Sequence, residues 1–217
     1  MSNVSIQLKS DFVDFYDSFF DQDGEIFERN LSNEPSRKDM YKILAKHKLI
    51  PAVTGKVKKF RKKLPWDAPV IVYSDIERHD GGEKLMMSFK EAFLNYENHE
   101  MATYIVNEGN VGLTYRYVRI GDAIFFFKLQ GKTWNINEGF EVVESERVSE
   151  EDALQMKPFD TPIYSIDFVP AVDSKGKEWM FAVDLNFAPK LEKSGIESLA
   201  TGEEIAELIR IWYKENR

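Results

Sequence analysis

Two residues near the C-terminal end of this sequence have the types and spacing to hold a hard cation. In Ala182-Val183-Asp184-Leu185-Asn186-Phe187-Ala188-Pro189, a short apolar strand ends on a carboxylate and a carboxamide two residues apart. Side chains i and i+2 of a strand share a face. Asp184 and Asn186 should therefore project together, with Val183 and Leu185 on the opposite face. Oxygen donors grouped this way suit a Mg²⁺ ion that also holds phosphates. A further carboxylate, Asp167 in Ile166-Asp167-Phe168, lies on the preceding strand. The turn signal Asp173-Ser174-Lys175-Gly176 folds that strand back. Counting outward from the turn brings Asp167 and Asp184 close to cross-strand neighbours. Like charges facing each other in a sheet cost roughly a few tenths to one kcal/mol, and a divalent cation between them removes that cost. The plainer alternative is two solvated carboxylates on a half-exposed sheet.

These residues need elements to position them. Residues 4–8 alternate like a strand, and 11–20 read as an aromatic-rich helix ended by Asp21-Gln22-Asp23-Gly24. That cluster is a turn, since its spacing is not that of a calcium loop. Ser36 is the expected N-cap of a helix whose Met40, Ile43 and Leu44 form a buried stripe. Val70-Ile71-Val72-Tyr73 is a strand. The glycine-containing loop His79-Asp80-Gly81-Gly82-Glu83-Lys84 follows, and Ser88-Phe89-Lys90-Glu91 is a capping box. A hairpin is expected from residues 103–106 and 114–120, with a third strand at 123–129. Ser149 caps a short helix. Strands follow at 163–169 and 179–185. Thr201-Gly202-Glu203-Glu204 caps a last helix with Ile205, Leu208, Ile209 and Trp212 on one face. The pattern predicts an α+β chain of two α/β lobes with a mostly antiparallel C-terminal sheet. Its divisions are an extension over 1–35, a smaller lobe over 36–100 and a larger lobe over 101–217.

Composition excludes several classes. At 217 residues the chain has 43% hydrophobic residues, including sixteen Phe, enough for a sizeable core. It has no cysteine, so disulfides, thiolate metal sites and Cys nucleophiles are out. There is no membrane-length apolar run and no signal-peptide pattern, which predicts a cytoplasmic protein without a membrane partner. The net charge of −8 disfavours general nucleic-acid binding. The run Lys56-Val57-Lys58-Lys59-Phe60-Arg61-Lys62-Lys63 stands against it. It reads as a solvated face, or as an anion-binding edge with Phe60 placed for base stacking. Ile124-Phe125-Phe126-Phe127 reads as core rather than an adenine pocket. No Ser/His/Asp triad or histidine metal spacing appears.

In order and spacing, residues 36–213 resemble the ATP-grasp fold, particularly its RimK-like branch. The resemblance rests on Asp167, on Asp184-Leu185-Asn186 with Pro189 beyond it, and on Arg116 and Arg119 before Gly121-Asp122. It also includes Lys128 on the next strand, Asn135 four residues before Gly139 (Asn137 being a second candidate), and the loop around Gly81-Gly82. The family places Lys on the strand before that loop, where this chain has Tyr73, and Glu where it has Asp184. The resemblance implies a Mg-ATP-dependent ligase that joins a small-molecule or peptide carboxylate to an amine through an acyl phosphate. It implies that Asp167, Asp184 and Asn186 hold Mg²⁺, and that Lys84, Gly81 and Gly82 cover the ATP phosphates. Arg116, Arg119, Lys128 and Asn135 would stabilise and orient the transferred group. The alternative is a degenerate ATP-grasp domain that binds a nucleotide or a protein without ligase chemistry. The sequence is silent on oligomeric state.

Overall fold

The computed structural model describes residues 35–73, 84–103, 112–136, 139–153, 159, 161–172, 177–187, 189, 191 and 194–216. The expected elements at 4–8 and 11–24, the Gly81-Gly82 loop, Asn137 and the turn at 173–176 lie outside these residues.

Helix α1 (Arg37–Lys46) starts where its cap predicts: the Asp39 amide donates to Ser36 Oγ at 3.2 Å. Met40 and Leu44 are fully buried. Strand β1 (Val53–Lys56) follows, then a 3₁₀ turn at Val57–Phe60, β2 (Pro69–Tyr73) and β3 (Lys84–Ser88). The Ser88–Glu91 capping box opens α2 (Phe89–Tyr96), which leads to β4 (Glu100–Thr103). These four strands form one antiparallel sheet in the order β1-β4-β2-β3. Strand β4 pairs with β1 and β2. The expected hairpin from residue 103 into residue 114 is therefore corrected. The chain leaves the smaller sheet after β4 instead of turning back on it.

The larger sheet, in the order β7-β6-β5-β8-β9, is also antiparallel. It comprises β5 (Leu113–Ile120), β6 (Ala123–Gly131), β7 (Phe140–Val148), β8 (Ile163–Val172) and β9 (Glu178–Asn186). Helix α3 (Gly202–Glu215), opened by the Thr201–Glu204 capping box, covers one face. There Ile205 and Ile209 pack with Phe125, Phe127, Leu129 and Ile163. Helix α1 covers the other face, where Met40, Tyr41 and Leu44 meet Phe126, Ile166, Phe168 and Leu185. Strand β6 is apolar on both faces because both are covered. The chain is thus α+β, with two antiparallel sheets and three helices among the described residues. None of those helices is long and apolar enough to cross a membrane.

Two strands run against their sequence pattern. From Lys84, the last residue of the expected glycine-containing loop, the chain forms β3, an edge strand with Leu85 and Met86 exposed. Strand β7 carries Glu141, Glu144, Glu146 and Arg147 on the other sheet's edge, where charge discourages pairing with another chain. In the basic run Lys56, Lys58, Lys59, Arg61, Lys62 and Lys63 are exposed, as a solvated face requires, but the stacking role of Phe60 is corrected. Val57 and Phe60 are buried in a cluster with Val70, Phe89 and Met101, so Phe60 is core and has no free face for a base.

Gly121 joins β5 and β6 with φ +56°, and a Cβ there would lie 2.6 Å from the Leu208 carbonyl oxygen of α3. Left-handed backbone and overpacking together predict a cost of about 2–4 kcal/mol for Gly121→Ala. Urea unfolding checks this prediction, and an unchanged midpoint would contradict the close approach of α3 to this turn.

Candidate functional site

Strands β8 and β9 meet in register at Asp167 and Asp184, and Ser165 faces Asn186 two residues along. On the other side of β8, Asp167 faces Arg116 of β5. Cross-strand partners share a face, so Arg116, Asp167 and Asp184 form a row over three adjacent strands. The row opens on a cleft between the sheets. Its walls are Arg37, Ile71, Tyr73, Lys84, Thr114, Trp134, Asn135, Ile136, Asp167, Val169, Val183 and Asp184.

A β-bulge shapes this row. The register runs from Asp167↔Asp184 to Phe168↔Ala182, leaving Val183 as the extra residue. Ala182 and Leu185 can therefore both lie in the core, while Val183 and Asp184 both line the cleft. Strict alternation puts Val183 on the opposite face from Asp184; the bulge overturns that expectation by turning the strand locally.

Arg116 grips Asp167 with a fork, Nε donating to Oδ1 and Nη2 to Oδ2, each at 2.7 Å. Such bidentate charge-assisted pairs are the strong form of the interaction. Burial opposes the Arg116 charge, but Asp167 outweighs it and the guanidinium pKa is raised. Asp184 is flanked differently. Asn186 Nδ2 donates to its Oδ2 at 3.2 Å, and Arg37 Nη1 stands 3.9 Å from its Oδ1.

Arg37 is the residue that sequence reasoning missed. It is 3% exposed, and its guanidinium lies 4.8 Å from the centre of the Tyr73 ring. Burial lowers its pKa, but Asp184, then Tyr73 and Tyr41, raise it more, and the net shift is upward. The available signal was its place as the first helical residue after Ser36, where a cation opposes the helix dipole and needs another reason to be there. The Tyr41 and Tyr73 hydroxyls lie 3.4 Å apart, and Tyr41 reaches the Val183 carbonyl at 3.4 Å. Burial pushes both tyrosine pKa values up, so both are neutral hydroxyls.

The other candidates divide. Lys84 opens β3 opposite Tyr73 and lines the cleft. Burial and then Arg37 lower its pKa, while Asp184 and Asp167 pull it back up. Asn135 lines the cleft beside Trp134, and its backbone N–H donates to Thr133 Oγ1 at 3.2 Å. Arg119 and Lys128 are not brought to this group. Arg119 projects from the other face of β5, held by the Gly121 carbonyl at 3.0 Å, Asp122 at 3.3 Å and Glu150 at 2.9 Å. Lys128 pairs with Tyr115 and with Glu144 on that same opposite face. Ser165 was also missed. Its hydroxyl is buried with no hydrogen-bond partner among the described residues, in register with Asn186.

The donor chemistry fits Mg²⁺ shared with phosphates better than Mg²⁺ caged by protein alone. Asp167 and Asp184 supply hard oxygens and Asn186 a carboxamide, yet no group of three or more His, Asp or Glu gathers among the described residues. Such a sparse carboxylate set is how Mg²⁺ is commonly held beside a nucleotide.

No protein-family model and no curated protein sequence matches the chain. Several solved structures share part of its layout. The macrocyclase MdnC from Microcystis aeruginosa, bound with its precursor peptide MdnA, overlaps 80% of this chain and 59% of its own, at TM-score 0.46 and 13% identity. The N5-carboxyaminoimidazole ribonucleotide synthetase PurK, in its ADP complex, overlaps 81% and 50%, at TM-score 0.48 and 13% identity. An L-amino acid ligase from Bacillus licheniformis overlaps 79% and 44%, at TM-score 0.42 and 12% identity. This chain therefore spans about half the length of the proteins it overlaps.

Proposed function

We propose that the cleft is the Mg-ATP site of an ATP-grasp-like ligase that joins a carboxylate to an amine. The observation that carries this reading is the register pairing of Asp167 with Asp184 on a cleft that also holds Arg37 and Lys84. Fixed cations interleaved with paired carboxylates suit a polyphosphate together with the metal that accompanies it. Arg116 and Arg37 would orient phosphate oxygens, and Lys84 would add charge from the smaller sheet. Asp167, Asp184 and Asn186 would hold Mg²⁺, which when bound neutralises charge on the phosphates. In the reaction a substrate carboxylate attacks the γ-phosphorus and ADP leaves. The amine then attacks the acyl carbon and phosphate leaves. No nucleophilic side chain is needed, which agrees with a chain lacking cysteine. The chain's role here is positioning and preorganised charge.

One observation favours a second reading, a nucleotide-binding module without ligase chemistry. Both carboxylates already have an arginine beside them. ADP release separates the two readings. With Mg-ATP and mixed pools of carboxylates and amines, the wild type should release ADP in a substrate-dependent way and Asp184→Ala/Asn186→Ala should not. Equal release from both proteins would remove the ligase reading.

A further inference from the structure

The cleft does not look like an acidic metal site waiting for a cation. Arg116 occupies both oxygens of Asp167. Arg37 stands beside Asp184, and Lys84 lines the same cleft. Three cations thus face two carboxylates among the described residues of this group. A divalent ion arriving alone must displace a guanidinium that forks onto its ligand, and it meets repulsion from the others. A polyphosphate meets the reverse situation. Its oxygens match the planar fork of Arg better than they match the point charge of Lys.

We propose that Arg37 and Arg116 are exchangeable counter-cations. Each holds a carboxylate until a polyphosphate takes its guanidinium, and only then are Asp167 and Asp184 released to a divalent metal. This rests on the reading of the cleft as a Mg-nucleotide site and adds an order to it. Metal and polyphosphate bind as one coupled event, with the arginines as the exchanged parts. The geometry gives the two arginines different tasks. Arg116, on the rigid sheet, makes the strong pair and sets the barrier to metal. Arg37 makes no close fork with Asp184 at 3.9 Å, and its guanidinium lies over the Tyr73 ring at 4.8 Å. It is the cation more ready to move to phosphate. Coupling is reciprocal, so whatever polyphosphate does for the metal, the metal does for polyphosphate.

The test uses the full chain and two separate probes. The first is Mn²⁺ alone, with free ion counted by electron paramagnetic resonance. The second is sodium tripolyphosphate alone in the presence of EDTA, followed by calorimetry. Arg116→Met and Arg37→Met should each bind Mn²⁺ about tenfold tighter than wild type, and tripolyphosphate about tenfold weaker, within the ~5–150-fold range usual for coupled sites. If Arg116→Met fails to fold, Arg37→Met carries the test, since it removes no forked pair. The proposal is overturned if wild type binds Mn²⁺ alone as tightly as the variants do, or if the variants lose Mn²⁺ affinity. Tighter Mn²⁺ and weaker tripolyphosphate in a protein that never releases ADP would uphold the exchange and remove the ligase reading separately.

Discussion

Asp167→Ala should cost about 3–5 kcal/mol of stability, because it strands a buried guanidinium. Asp167 is 3% exposed, and the Arg116 side chain is 18% exposed. Removing the carboxylate leaves the fork's two donors without their acceptors. For a chain of this length such a loss lowers Tm by roughly 6–20 °C. Adding Arg116→Met should recover most of the loss, since replacing a buried pair by apolar groups is often neutral or stabilising by about 1–4 kcal/mol. A double-mutant cycle in urea measures this directly. A single-variant cost below about 1 kcal/mol, or strictly additive effects, would show that the pair is not the buried unit described here.

The second large effect is on ligand-linked stability. At about 100 times its Kd, Mg-ATP should stabilise the wild type by roughly 2.7 kcal/mol, a rise of about 5–10 °C in Tm. Asp184→Ala/Asn186→Ala should lose most of that rise. The Asp184 side chain is 25% exposed and makes no forked pair with Arg37, so the unliganded variant should still fold. A wild type that shows no Mg-dependent shift would falsify the proposed site. A full shift retained in the variant would place binding elsewhere in the molecule.

Much of the frame was legible in the sequence because it is local. The caps at Ser36, Ser88 and Thr201 form the expected hydrogen bonds. They depend on residues three apart, and no distant partner is needed. The pairing of Asp167 with Asp184 was also within reach, since one turn sets the register of a hairpin. Edge strands were harder. Strand β7 has charged, exposed residues through most of its length, so no apolar alternation marked it. Strand β4 was given the wrong partner because pairing between distant segments leaves no local trace.

The sequence alone determined the three capped helices, the apolar strands and the placement of Asp184 and Asn186 two residues apart. Only the tertiary structure decided what surrounds them. It brought Arg37 from a helix nearly 150 residues upstream to Asp184, and set Arg116 on Asp167 across β5 and β8. It also inserted the bulge that lets Ala182 face the core while Val183 and Asp184 face the cleft. The physical reason is that strand period and helix caps are properties of neighbouring residues, whereas a buried charge chooses its partner from whatever the packed elements place within a few ångströms.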